Sequence, residues 1–140
     1  MLVNIKEISA RFCEVDSMGI VWHGHYVKYF EDGRESFGKE FGLGYMDVYA
    51  KGFFIPIVNI NVSYKRPVEY NDEVVIETRF IDTPAAKIVF EYKLFNKNSS
   101  KVYATGSSEQ VFLTKDRTLH LTVPDFFVEW KQTQGILTLS

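Results

Sequence analysis

The chain has 140 residues, 46% of them apolar and 24% charged, a balance that suits one globular domain with a real core. A formal net charge of −2 supplies no overall basic field for a polyanion such as nucleic acid, and a single cysteine, Cys13, excludes an internal disulfide framework. No apolar run approaches the roughly 20 residues that a membrane helix needs, and the opening MLVNIKEISARF does not read as a signal peptide. The expectation is a soluble cytoplasmic protein with no nucleic-acid or membrane partner.

Residues 3–12 read as a first strand. Residues 13–24 are irregular, punctuated by Gly19 and Gly24. From His25 onward, Tyr26, Phe30, Gly33, Phe37 and Phe41 recur at intervals of three or four, and most charged residues fall elsewhere on the wheel. This predicts an amphipathic helix ending at Gly42 and Gly44. Its aromatic stripe is expected to be core rather than a ligand pocket. Gly33 and Gly38 each cost about 1 kcal/mol against alanine inside a helix, so they point to close packing, here against a sheet.

After the helix the period changes to two. Ile60, Val62 and Tyr64 alternate with polar neighbours up to Pro67. Val74, Ile76, Thr78 and Phe80 alternate after a turn at Asn71-Asp72, and Ile88, Phe90, Tyr92 and Leu94 after a turn at Thr83-Pro84. Residues 101–115 read as the last long strand, with Gly106 a bulge or twist point. Short loops predict antiparallel neighbours throughout. The tail, 124–140, is expected to hold a short helix carrying Phe126, Phe127 and Trp130. The sum is an α+β domain over 1–140: one long helix packed on a five-stranded antiparallel sheet. Such a sheet leaves an open edge, which favours a homodimer or homotetramer.

The chemically informative stretch runs from Arg11 to Arg34. Asp16 is followed by Gly19, the apolar pair Ile20-Val21, His23, Tyr26 and then Phe30-Glu31-Asp32-Gly33-Arg34. These residues, at these spacings, resemble the 4-hydroxybenzoyl-CoA thioesterase family of hotdog proteins, especially its short-chain acyl-CoA branch. Tyr64-Lys65-Arg66-Pro67 and the Asn71-Asp72 turn add to the likeness, which covers roughly residues 5–115. Phe12 stands where that branch often has a tyrosine, so any role for that hydroxyl is absent.

The resemblance implies hydrolysis of an acyl-CoA to a free acid and CoA without a cofactor, at a site between two subunits. It assigns the carboxylate to Asp16, and a carboxylate can act on a thioester as base or nucleophile. It assigns the oxyanion contact to the backbone N–H at His23, where a helix start offers free donors. The His23 imidazole is a second catalytic candidate, able to orient water or protonate the leaving thiolate. Gly24 is expected to leave room for the acyl group, and Tyr26, Lys65 and Arg66 to contact the substrate, the last two through the phosphates of CoA. The plainer alternatives are a simple turn at Asp16, packing at His23, an i,i+3 ion pair between Glu31 and Arg34, and a buried thiol at Cys13. His23-Gly24-His25 lacks the carboxylates or cysteines of a metal site, so no metal is expected. Two other functions fit the same motif, an acyl-ACP thioesterase and a non-catalytic acyl-CoA binder. A hotdog hydratase fits poorly, since the Asn-Pro context of its Asp and His is missing.

Overall fold

A computed structural model of the chain describes residues 2–136. Strand β1 covers Val3–Ser9 and is followed by a single 3-10 turn, Phe12–Glu14. Helix α1 runs His25–Phe41 and a short helix α2 runs Tyr45–Ala50. Then come β2 (Phe53–Phe54), β3 (Ile57–Tyr64), β4 (Glu73–Ile81), β5 (Lys87–Asn96), β6 (Val102–Val111), β7 (Leu113–Thr114) and helix α3 (Asp125–Thr133). Five strands form one antiparallel sheet in the order β1-β4-β5-β6-β3, and β2 pairs with β7 in a separate two-stranded ribbon.

Helix α1 forms where its apolar stripe predicts it and packs on β1 and β4. Tyr26, Tyr29, Phe30 and Phe37 are buried, and Phe41 is partly so. Full burial of a side chain such as Phe30 or Phe37 contributes about 1.5–3 kcal/mol each. The helix ends at Gly42, whose left-handed backbone (φ 73°) lets its N–H bond the Gly38 carbonyl at 2.9 Å. Helix α3 closes the far end of the core. Its Trp130 indole N–H donates to the last carbonyl of α1, Phe41, at 2.7 Å, and Lys131 is buried against Asp82 at 2.7 Å.

Close packing against the sheet explains Gly33: a Cβ there would collide with Ile76 and Thr78 of β4. Gly38 instead meets the backbone of Gly44. Several sequence expectations are corrected. Strand β3 does not neighbour β4 despite the short connection; the segment 65–72 crosses over, and β3 pairs with β6 at the opposite edge from β1. Val68, fully buried in that segment, anchors the crossing. The strand expected over 101–115 is interrupted at Phe112, so Leu113–Thr114 leaves the main sheet and pairs with β2. Gly106 is no bulge, since it keeps register with Val62 and Tyr92; a Cβ there would strike the Phe30 ring. The irregularities lie between Ile57 and Asn59 and between Leu94 and Phe95. Helix α3 matches the expected tail helix, and positions 137–140 lie outside the described residues.

Candidate active site

The segment before α1 folds as a small hairpin, with Val15 bridging Val21. Its tip is the turn Asp16-Ser17-Met18-Gly19. The Gly19 N–H donates to the Asp16 carbonyl at 3.0 Å, and the Asp16 N–H to the Ile20 carbonyl at 2.8 Å. Gly19 has φ 78°, the left-handed region that a glycine tolerates without cost. The Asp16 carboxylate takes part in its own turn, because Oδ1 accepts the Met18 N–H at 2.8 Å. The turn reading of Asp16 is therefore realised. It leaves Oδ2 with no hydrogen-bond partner among the described residues, on a half-buried side chain.

The hairpin is tied on three sides. Val21 donates to the Val68 carbonyl at 2.7 Å, and Ile20 bridges Glu69. Trp22 donates to the Glu14 carbonyl at 2.9 Å. The Glu14 side chain is buried and accepts the Arg11 backbone N–H at 2.8 Å and the Tyr29 hydroxyl at 2.9 Å. Burial first, and then the Glu14 carboxylate, push the Tyr29 phenol well above its ordinary value.

At the base of the hairpin the chain turns into α1. His25 N–H bonds the Trp22 carbonyl and Tyr26 N–H bonds the His23 carbonyl. The N–H groups of His23 and of Gly24, the N-cap of α1, have no acceptor among the described residues. The Tyr64 hydroxyl, at the end of β3, donates to the His23 carbonyl at 2.9 Å and fixes this start in place. The His23 ring is exposed and lies 4.9 Å from the Trp22 ring and 6.2 Å from the Tyr64 ring.

Asp16 and His23 thus share one hairpin but sit at its opposite ends, about three rungs or roughly 10 Å apart along the strands. No hydrogen bond joins them among the described residues. The space beside Gly24, expected to admit an acyl group, holds the Trp22 indole, which a Cβ at Gly24 would overlap. Tyr26, expected to contact the substrate, is buried, and its hydroxyl accepts the Val68 N–H at 3.1 Å and donates to the Arg66 carbonyl at 3.4 Å, tying the crossing segment to α1. Burial pushes its phenol up as well. Lys65 and Arg66 are exposed directly after Tyr64, with both backbone N–H groups on the Tyr103 carbonyl. Cys13 is exposed rather than buried, because the turn Phe12–Glu14 directs Glu14 inward in its place. Among the described residues no group of three or more His, Cys, Asp or Glu side chains is arranged to hold a metal ion.

Comparison with known proteins settles the family. The model of the thioesterase-like superfamily matches residues 10–131. The chain belongs to that superfamily. It is 33% identical over 130 residues to the Bacillus subtilis protein YneP, a candidate acyl-CoA thioesterase, with 93% of this chain and 94% of that one covered. It superposes on the DHNA-CoA thioesterase of Staphylococcus aureus with a TM-score of 0.80 at 28% identity, both chains covered completely. A chloroplastic acyl-acyl carrier protein thioesterase of Arabidopsis thaliana is 28% identical over 89 residues, covering 64% of this chain and 47% of that one. The fold is the hotdog fold, and the protein is a thioesterase, a hydrolase of thioester bonds. No described helix is long and apolar enough to cross a membrane.

Sequence reasoning passed over three residues that shape this site. Glu14 and Tyr29 pair across 15 positions, and no local pattern announces such a contact. Tyr64 carried a signal, since it ends a strand next to Lys65-Arg66, but its target at His23 is set by the fold.

Proposed function

We propose that the protein hydrolyses acyl-CoA thioesters to a free acid and CoA. The observation that carries this reading is that one hairpin presents both a carboxylate oxygen without a partner, at the Asp16 turn, and unoccupied N–H donors where it enters α1. The thioester carbonyl oxygen accepts from the His23 and Gly24 N–H groups, which stabilise the negative charge that develops as the carbonyl is attacked. Asp16 takes a proton from the attacking water, or attacks the carbonyl itself to give an anhydride that water then opens. The C–S bond breaks in either case, and the exposed His23 imidazole is the candidate to protonate the departing thiolate. Lys65 and Arg66 offer cations to the phosphates of CoA.

The separation of Asp16 from His23 within one hairpin supports a site completed by a second copy, in a homodimer or homotetramer. The uncovered edge of β3 is the surface that such a copy would pair with. The enzyme so assembled would work in the cytoplasm. The likeness to the plant enzyme supports a second reading, in which the acyl group arrives on an acyl carrier protein.

The test is a panel of acyl-CoA and matched acyl-ACP thioesters, with released thiol read by a dye, on wild type and Asp16→Asn. Asparagine keeps the Oδ1 acceptor of the turn and removes the charge, so the fold should survive while turnover falls by at least about 100-fold. Near-normal thiol release by Asp16→Asn would remove Asp16 from the reaction. Turnover confined to the ACP esters would decide for the second reading.

A further inference from the structure

Each free N–H at the start of α1 belongs to a peptide whose carbonyl points the opposite way, because the peptide unit is planar and trans. The His23 N–H shares its peptide with the Trp22 carbonyl, which accepts the His25 N–H at 2.9 Å. The Gly24 N–H shares its peptide with the His23 carbonyl. The backbone donor to that carbonyl, the Tyr26 N–H, stands at 3.3 Å, longer than a good N–H···O bond. By backbone bonds alone, the peptide joining residues 23 and 24 is the less firmly held of the two. The Tyr64 hydroxyl makes up the difference, donating to the His23 carbonyl at 2.9 Å.

Tyr64 brings this donor from the sheet, not from the hairpin. It is the last residue of β3 and stands opposite Ala104 of β6. Directly after it, the Lys65 and Arg66 N–H groups bond the Tyr103 carbonyl of β6 at 2.8 and 3.0 Å. Its ring lies 5.0 Å from that of Tyr26, which is buried and held by its own hydroxyl bonds. The phenol therefore reaches the helix start from a frame anchored on β6. As a tie for the fold it is poorly placed. Tyr64 is 49% exposed, and a hydrogen bond at the edge of water adds little to stability. The hairpin already has the Val21 N–H on Val68 and the Trp22 N–H on Glu14.

The bond acts instead on one peptide. A donor at the carbonyl oxygen draws charge through the amide and makes the N–H at its other end a stronger donor. It also fixes the rotation of that peptide, and with it the direction of the N–H. We propose that Tyr64 is a positioning residue for thioester hydrolysis: by donating to the His23 carbonyl it aims and polarises the 23–24 peptide, so that the Gly24 N–H is the stronger of the two oxyanion donors. This rests on the proposed docking of the thioester carbonyl at the helix start. The donor is needed most as charge grows on the substrate oxygen, so the effect falls on the transition state rather than on substrate binding.

The test compares wild type with Tyr64→Phe, which keeps the ring against Tyr26 and removes only the donor. With the best ester of the panel above, kcat should fall about 5- to 10-fold while KM stays within about 2-fold. In the free protein the Gly24 amide proton should move upfield in Tyr64→Phe, with the amides of residues 31–41 unchanged. A ketone analogue of the same ester, with a methylene in place of the sulfur and 13C at the carbonyl, reads the polarisation itself. On saturating wild type its carbonyl resonance should shift downfield, and in Tyr64→Phe that shift should shrink by at least about a fifth. An unchanged kcat, or the full downfield shift kept in Tyr64→Phe, would overturn the role of Tyr64 and leave the proposed reaction standing. Amides disturbed along the whole of α1 would make the bond a tie for the fold and overturn the role as well. No downfield shift on wild type would remove the helix start from the reaction, and the role of Tyr64 with it.

Discussion

The Tyr29 hydroxyl donates to the buried Glu14 carboxylate at 2.9 Å, joining the first turns of α1 to the arm of the hairpin that leads into Asp16. Only Val15 separates Glu14 from Asp16, so this bond sets where the Asp16 turn begins. Tyr29→Phe keeps the ring in the core and removes only the donor. It should cost about 1–3 kcal/mol, the usual loss for a bond to a buried charge. If the bond also positions Asp16, turnover should fall several-fold with little change in KM. Denaturant midpoints and steady-state kinetics measure the two effects, and a midpoint equal to wild type would show that the bond does not hold the hairpin.

Alkaline solution should unfold the protein through its phenols. Burial raises Tyr26, Tyr29, Tyr92 and Tyr103 above their ordinary value of 10.0 in the folded chain. Each therefore contributes stability that is complete below about pH 10 and is lost as the pH climbs toward the folded-state values, because the unfolded chain sheds these protons first. Melting temperature should hold level into mild alkali and then fall, with phenolate absorbance from these four residues rising in step with loss of structure. Phenolate formation well ahead of unfolding would contradict this.

Packing between α1 and β4 has no room for a methyl group at Gly33, where Ile76 and Thr78 press on the helix backbone. On an exposed helix, Gly→Ala gains about 1 kcal/mol. Here Gly33→Ala should instead destabilise by about 1–3 kcal/mol, the range for overpacking. The same exchange at Gly42 meets open space but a φ of 73°, so its cost would be backbone strain rather than collision. Chemical denaturation separates the cases by sign at Gly33, where any gain in stability would refute the packing argument.

Much of this architecture is legible in the chain because its periods are clean. The stripe from Tyr26 to Phe41 marks the bounds of α1, and alternation marks the inward faces of β4 and β5. Strand order is another matter. A period of two says which side chains face the core but not which strand lies next to which, so the crossing of 65–72 was hidden. Gly106 shows the same limit, since a glycine within a strand reads equally as a bulge or as space for a neighbour, and the Phe30 ring decides it only in three dimensions. At the site, the position of Asp16 in a turn and the free helix start follow from local rules. The fate of the Tyr26 hydroxyl does not: the stripe turns it inward, and only the fold supplies the Val68 N–H that occupies it.

Tyr64 occupies two places at once, the last rung of the uncovered strand β3 and the bond that steadies the His23 carbonyl. Whatever grips β3 also grips the point where the carbonyl of the substrate would be polarised. If a second copy is that partner, subunits parted by dilution should lose specific activity before they lose helix content, since α1 is intact in the single chain while its first turn is steadied from an unsupported edge.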